Sequence, residues 1–425
     1  MAEEERESRK RRLRENVIFG NTGKKSVEDE GESEEENVKS SLLKKKAVFL
    51  PLLFLVFFLA ALLFYLFSIR KFTSLSVIWS TSFSDKESST ASFYPFSEGV
   101  VKVSKDGASY IGKTGKPLWN QAFEMGEPVV SVNGDFMVIG EENGSKLFIL
   151  SKEGPVGQGE APLPIEKLSI SAKGVVYALL KEEDGSFITV FSKEGKNLDI
   201  AIKSVMSGDG YPIDFSVSKD GEELLVAFSY LDKSALKSRV VFYNFSSLGK
   251  NVGANRVVGG FREHFAGKMV GRVHFFNNEE SFAAYNGGFS FFSTRVKTSP
   301  EEKKNEEIPG MIRMISYNAE NLAVLADNTE DKEKGNYRLY LFRKSGEKVF
   351  DKAVSFTGTK MEVSADKIFL YQEKNYKVYD FGGRLRYNGE TEEGLQYIRA
   401  ASEINVGGTD LLLCFPNKVE RVRVQ

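Results

Sequence analysis

Two histidines, one cysteine and a few aspartate-glycine loops are the residues of this 425-residue chain whose types and spacing could do chemistry. His264 and His274 lie ten residues apart with no cysteine near them. That interval is neither the i, i+4 step of a helical zinc pair nor a ribbon spacing, so both read as ordinary turn and strand histidines. A Ser-His-Asp triad would need one of them, and no Gly-x-Ser-x-Gly elbow accompanies either. Cys414 sits inside the apolar run Leu411 to Phe415 and reads as a small buried hydrophobe. One cysteine cannot close an intramolecular disulfide, so burial alone must hold the fold.

The loops carry weaker signals. In Ser207-Gly208-Asp209-Gly210-Tyr211-Pro212 an aspartate between glycines offers one carboxylate and bare carbonyls to Ca²⁺. Spaced second and third carboxylates are missing, and a tight turn between repeats is the better reading. Ser104-Lys105-Asp106-Gly107 approaches the sialidase-type Asp box but lacks its closing Thr-Trp. Gly259-Gly260 and Gly287-Gly288 read as hairpin glycines rather than phosphate cradles, since no helix follows them. A glycosidase needs two placed carboxylates, and acidic residues here are too common to single out a pair. No catalytic, cofactor-binding or metal-binding residue is assigned, no cofactor is expected, and the chain is not expected to be an enzyme. Net charge is −1, which gives no electrostatic case for nucleic acid.

The stretch that must position everything else is Ala47 to Phe67, an apolar run without a charge. At about 1.5 Å per residue, about 20 residues cross a hydrocarbon core of about 30 Å. Its proline, Pro51, falls in the first turn, and Tyr65 suits an interface. No polar stripe marks a soluble helix, and no small-x-small site marks a cleaved signal peptide. A transmembrane helix over 47–69 is expected, with the lipid bilayer as partner through 47–67. Lys44, Lys45 and Lys46 abut one end, against Arg70 and Lys71 at the other. The positive-inside rule then leaves the N-terminus cytoplasmic and the larger part extracellular. Residues 1–46 hold segregated acidic and basic blocks with few apolar residues, and a disordered cytoplasmic tail is expected.

From Leu75 onward, short apolar runs alternate with Gly, Asp, Asn and Lys-Glu turns, the pattern of antiparallel strands. These runs repeat. Glycines 115, 154, 195, 346 and 383 recur about 37 to 41 residues apart where adjacent, a propeller-blade period. Units fall near 93–125, 127–163, 165–204, 211–261, 269–309, 311–357, 359–393 and 395–425. The expectation is an all-β, eight-bladed propeller over 72–425, with seven blades as the alternative. The last unit stops at its third strand, Lys418 to Val424. Val77-Ile78-Trp79-Ser80-Thr81-Ser82-Phe83 has the form of Pro117-Leu118-Trp119-Asn120-Gln121-Ala122-Phe123, a fourth strand, and both tryptophans of the chain fall at this position. An N-terminal strand over 76–83 is therefore expected to close the last blade, with Trp79 near Val422. Glu301 to Glu307 and Asn328 to Asn336 read as exposed loop extensions.

Ser218-Lys219-Asp220-Gly221 is similar to the Ser-Pro-Asp-Gly turn of WD-like and quinoprotein-like propellers, with Lys for Pro. Over the anchor and 72–425 the chain resembles an uncharacterised family of clostridial (Firmicutes) single-pass membrane proteins. The matching stretches are Tyr94-Pro95-Phe96, Ser207 to Pro212, Val241 to Phe245 and Val258 to Phe261. The resemblance implies a surface-anchored propeller and carries no activity and no site residue. The Gly-His and Trp-Asp pairs of true WD repeats are absent.

The expected function is binding or scaffolding for a protein or cell-envelope ligand at the loop faces of a rigid ring. The alternative is a cell-envelope enzyme acting on glycans, with carboxylates at the channel mouth.

Overall fold

A computed structural model describes residues 51, 53–63, 65, 70–83, 91–401 and 408–425. The expected tail over 1–46 lies outside the described residues, as does part of the apolar run. The chain divides into two units, Met1–Ser68 and Ile69–Gln425. In the first, residues 51, 53–63 and 65 are helical. Among the described residues no helix is long and apolar enough to cross a membrane.

The second unit is built from eight four-stranded antiparallel sheets. Seven are consecutive in sequence, running from Ser92–Ala122 in blade 1 to Lys360–Glu390 in blade 7. The eighth takes three strands from the end, Tyr397–Ala400, Thr409–Cys414 and Lys418–Val424, and its outer strand from the beginning, Leu75–Ser82. This is an eight-bladed β-propeller, so the seven-bladed alternative is excluded. The closing pair is antiparallel, with Val77 opposite Val422 and, after a register shift, Trp79 opposite Arg421. Thr73 and Ser74 add backbone bonds to the Gln425 carbonyl.

Alternation along each strand places apolar side chains on both faces, so every blade packs on both neighbours. The core is accordingly eight clusters set between blades. One joins Phe369, Tyr376 and Val378 to Ile398 and Leu413; another joins Phe93, Val100 and Ile111 to Tyr397 and Cys414 across the closing seam.

The repeating glycines have a common cause. Four lie in the turn between the third and fourth strands of their blades and Gly154 opens the fourth strand just after that turn, each at positive φ. Three of these glycines also face an aromatic ring of the preceding blade's outer strand, two of them closely. A Cβ on Gly115 would come 2.7 Å from Trp79, one on Gly154 4.0 Å from Trp119, and one on Gly383 2.9 Å from Phe350. Blade 4 breaks the period because its turn holds a short helix, Ser247–Val252, capped by the Ser246 hydroxyl.

Two sequence readings are corrected. Glu301–Glu307 is the outer strand of blade 5, its side chains alternating exposed and half-buried. Long charged side chains keep their heads in water while their stems cover the sheet, which hides the period in the composition. Gly259-Gly260 lies within the outer strand Val257–Phe261 rather than in a hairpin. A Cβ on Gly259 would meet the Pro300 ring at 2.5 Å, so close packing explains that glycine.

Candidate functional site

The inner strands of blades 3 to 8 carry titratable groups that reach across to neighbouring blades. Asp214, on the inner strand Tyr211–Val217 of blade 4, is 1% exposed. Its Oδ2 accepts the backbone N–H of Val273 in blade 5 at 2.7 Å. Its Oδ1 pairs with Lys167 of blade 3, and Arg272 of blade 5 approaches at 3.8 Å. One carboxylate thus ties three blades together. Burial and the like charge of Arg272 push Lys167 down to about 8, against the pull of the neighbouring Glu166 carboxylate. Tyr211 donates to Glu166 in blade 3; burial first, and then this bond and the Glu166 charge, push the phenol up.

Across the next seam, His274 of blade 5 lies on Tyr317 of blade 6, with ring centroids 4.0 Å apart at 32°. Burial, reinforced by Arg272, pushes this imidazole down to about 3, so it is neutral at physiological pH and supplies no acid-base pair. Farther round, Tyr397 of blade 8 donates to Glu362 of blade 7 at 2.8 Å. Burial raises Glu362 to about 7, opposed by that hydrogen bond and by Arg399. Arg399 donates to the Gly99 carbonyl of blade 1 at 2.6 Å.

A second set of bonds runs through hydroxyls. Ser131, Ser169, Ser216, Ser316 and Ser364 each accept a backbone N–H from the inner strand of the following blade, at 2.9 to 3.3 Å. At the seam where His274 meets Tyr317, a ring stack stands in place of the hydroxyl. Sequence reasoning missed this girdle. Its only trace is a serine near the end of one inner strand after another, which composition does not separate from turn serines.

The residues singled out from sequence fall elsewhere. His264 lies in a short 3-10 turn, Glu263–Phe265, with Nε2 2.9 Å from Glu302 and its ring on Phe261. It shares no partner with His274. Cys414 is fully buried at the closing seam, where burial pushes its thiol up. In the Ser207 loop, the N–H groups of Gly208, Asp209 and Gly210 converge on the Val205 carbonyl, and Asp209 Oδ2 accepts the Val205 N–H. That carboxylate closes its own turn, so the loop is an inter-blade turn as expected. Ser104 bonds Gly107 across a hairpin. Asn286-Gly287 forms the hairpin ahead of Gly288, and Asn328 caps the loop that follows Asp327. Among the described residues no three His, Cys, Asp or Glu side chains gather as a metal set.

A second raised carboxylate lies outside this arc. Glu223 of blade 4 is 1% exposed and pushed up to about 7 by burial, opposed by Lys297 and Thr294. Its neighbours and those of Glu362 do not overlap.

Residues 68–424 match DUF5711, a family of unknown function. The chain belongs to this family. No curated protein matches the DUF5711 chain. Among solved structures it is similar to Citrobacter koseri AztD, at 10% identity and TM-score 0.49, over 72% of this chain and 87% of that one. It is also similar to Chaetomium thermophilum Sqt1 bound to the N-terminus of the ribosomal protein L10, at 10% identity and TM-score 0.49, over 79% and 92%. Chaetomium thermophilum Raptor matches at 12% identity and TM-score 0.45, over 84% of this chain, which spans only 29% of that one.

Proposed function

We propose that this DUF5711 chain is a membrane-anchored, extracytoplasmic propeller that binds or scaffolds a protein or cell-envelope ligand, on a single-pass plan like that of the clostridial proteins its sequence resembles. The observation that carries the binding reading is the way the inner arc is bonded. Asp214, Glu362, Arg399 and the serine hydroxyls hold neighbouring blades together, and His274 is stacked and neutral. Such groups stiffen a ring rather than turn over a substrate, and a stiff ring presents its loop faces without losing order on binding. The anchor reading is supported by the uncharged run 47–67 and by the helical side chains Leu53, Phe54, Phe57 and Phe58, each more than half exposed. Water is a poor solvent for such a surface and lipid a good one.

The competing reading, a glycan hydrolase of the envelope, draws on Glu223 and Glu362, both poised near 7. They sit in blades 4 and 7 with separate partners, which weighs against a shared catalytic pair.

The test uses the full chain with a tag after Gln425 in intact cells. An impermeant biotin reagent is expected to reach the tag without permeabilisation, and proximity labelling from it should enrich a partner over an anchor-only control. A tag reached only after permeabilisation would refute the orientation. Labelling indistinguishable from the control would refute the binding role.

A further inference from the structure

Blade 4 has middle strands of ten residues, Glu223–Asp232 and Ala235–Asn244, where the other blades have five to seven. Its inner strand stops pairing at Ser229 and its outer strand at Val240. The pairs Tyr230–Lys237, Leu231–Leu236 and Asp232–Ala235 therefore continue as a two-stranded hairpin with neither edge covered. At about 3.3 Å per residue its tip stands roughly 10 Å beyond the sheet. A bare hairpin is marginal in water. This one is braced by Arg262 over the Tyr230 ring at 4.7 Å and by the Arg239 bond to the Asp209 carbonyl at 2.7 Å.

The other side of the hairpin is apolar and unused. Leu231 and Leu236 face each other across the strands and are 74% and 57% exposed. Side chains alternate along a strand, so Leu236 shares its face with Ser238. The Ser238 hydroxyl accepts the Val270 N–H at 3.1 Å and lies 3.8 Å from the Met269 sulfur. That face therefore looks onto blade 5. There, a depression of about 360 Å³ opens between blades 5 and 6, lined by Met269, Gly271, Arg272, Ile312, Arg313 and Met314. A Cβ on Gly271 would meet nothing within 4 Å, so the floor is open. Arg272 and Arg313 keep about half of their side chains in solvent, at 48% and 47%. Arg313 is forked onto Asp327, whereas Arg272 comes only within 3.8 Å of Asp214, which already holds Lys167 and the Val273 N–H.

We propose that the apolar hairpin face and this depression beside it together are the docking site of a protein partner, which lays an apolar peptide segment against Leu231, Leu236 and Met269 and sets a carboxylate on Arg272. The charge decides the partner. An apolar wall alone would suit many surfaces, but a half-exposed guanidinium on the floor matches the two oxygens of an Asp or Glu side chain. Methionines adapt to the shape of whatever apolar residues enter. The inference rests on the binding reading above and names the chemistry of the bound segment.

The test takes the full chain in lipid nanodiscs and selects random peptides displayed on phage. Enriched peptides are expected to combine apolar residues with Asp or Glu. The exposed-surface double variant Leu231→Ser/Leu236→Ser should weaken them by roughly tenfold or more, with an unchanged melting temperature. Changing the peptide carboxylates to amides should weaken binding to the wild type similarly but have little further effect on Arg272→Gln. Should Arg272→Gln fail to fold, the amide peptides on the wild type still decide the point. Enriched peptides that ignore both the leucine changes and the loss of their carboxylates would overturn this docking site while leaving a binding module elsewhere on the ring. No enrichment over empty nanodiscs would overturn both.

Discussion

Gly115 of blade 1 lies against the indole of Trp79 in blade 8, so close that an added Cβ would sit 2.7 Å from the ring. Trp79 Nε1 also donates to the Lys113 carbonyl at 3.1 Å, and the Thr81 hydroxyl donates to the Gly115 carbonyl at 2.6 Å. The N-terminal strand is thereby keyed into a turn of the first blade as well as paired with the last strand. Gly115→Ala must hold φ near +81° and displace the ring. A cost of about 2 kcal/mol or more is expected in urea unfolding. Trp79→Ala should cost about the same, and the double variant less than the sum, because both remove one contact.

Glu362 makes stability depend on pH in a set direction. Its folded value, raised by burial to about 7, lies above the ordinary 4.5. The folded state then binds more protons between these values, so its contribution is full below about 4.5 and lost as pH rises through about 7. Glu223 acts with the same sign. Glu362→Gln keeps an acceptor for Tyr397 and should flatten this fall. Urea curves at pH 5 and pH 8 should place the variant ahead of the wild type by about 2 kcal/mol at the higher pH only.

His274 works the other way. Its folded value, pushed from 6.5 to about 3, gives stability that is full above about 6.5 and lost as pH falls toward 3. His274→Phe preserves a ring against Tyr317 without a titrating group. Relative to the wild type it should gain about 1.4 kcal/mol per pH unit below about pH 6. The imidazole Cε1–H resonance of the wild type should not titrate down to pH 4.

Cys414 packs with Phe93, Val100, Ile111 and Tyr397 where the ring closes. An aromatic disulfide reagent is expected to leave it untouched in the native protein and to react at the rate at which the seam opens. Cys414→Ser would bury a hydroxyl among apolar neighbours and should lower stability by about 1–3 kcal/mol. Rapid native labelling would mean that the seam is looser than its packing.

The eight repeats were readable because turn chemistry is local. A positive φ allows little but glycine, and that demand recurs at the five glycines 115, 154, 195, 346 and 383, tightened at Gly115 and Gly383 by a ring of the preceding blade. Where the turn changes, as at Ser247–Val252, the period disappears and strand content alone carries the count. Glu301–Glu307 was misread for a related reason: on an outer strand, polar stems do the covering that Val or Ile do inside, and alternation is invisible in side-chain type. The polar arc was not readable at all. Asp214, Lys167 and Arg272 come from three blades, and nothing in the spacing of 167, 214 and 272 reports that one register brings them together. The Leu231–Leu236 hairpin was hidden because exposed leucines in a strand look like buried ones until the neighbouring strands are seen to stop short.

The pairing of Leu75–Ser82 with Lys418–Val424 joins segments more than 300 residues apart, and Ser74 and Gln425 are 351 positions apart where they bond. During synthesis, the first strand of the ring must therefore wait, with its pairing edge bare, until nearly every other strand has been made. Separations this long slow the final step and leave an opened ring exposed to other chains. A cell making this protein has reason to shield Val77 and Ile78 through that interval, and truncations short of Lys418 should accumulate as aggregates rather than as smaller rings.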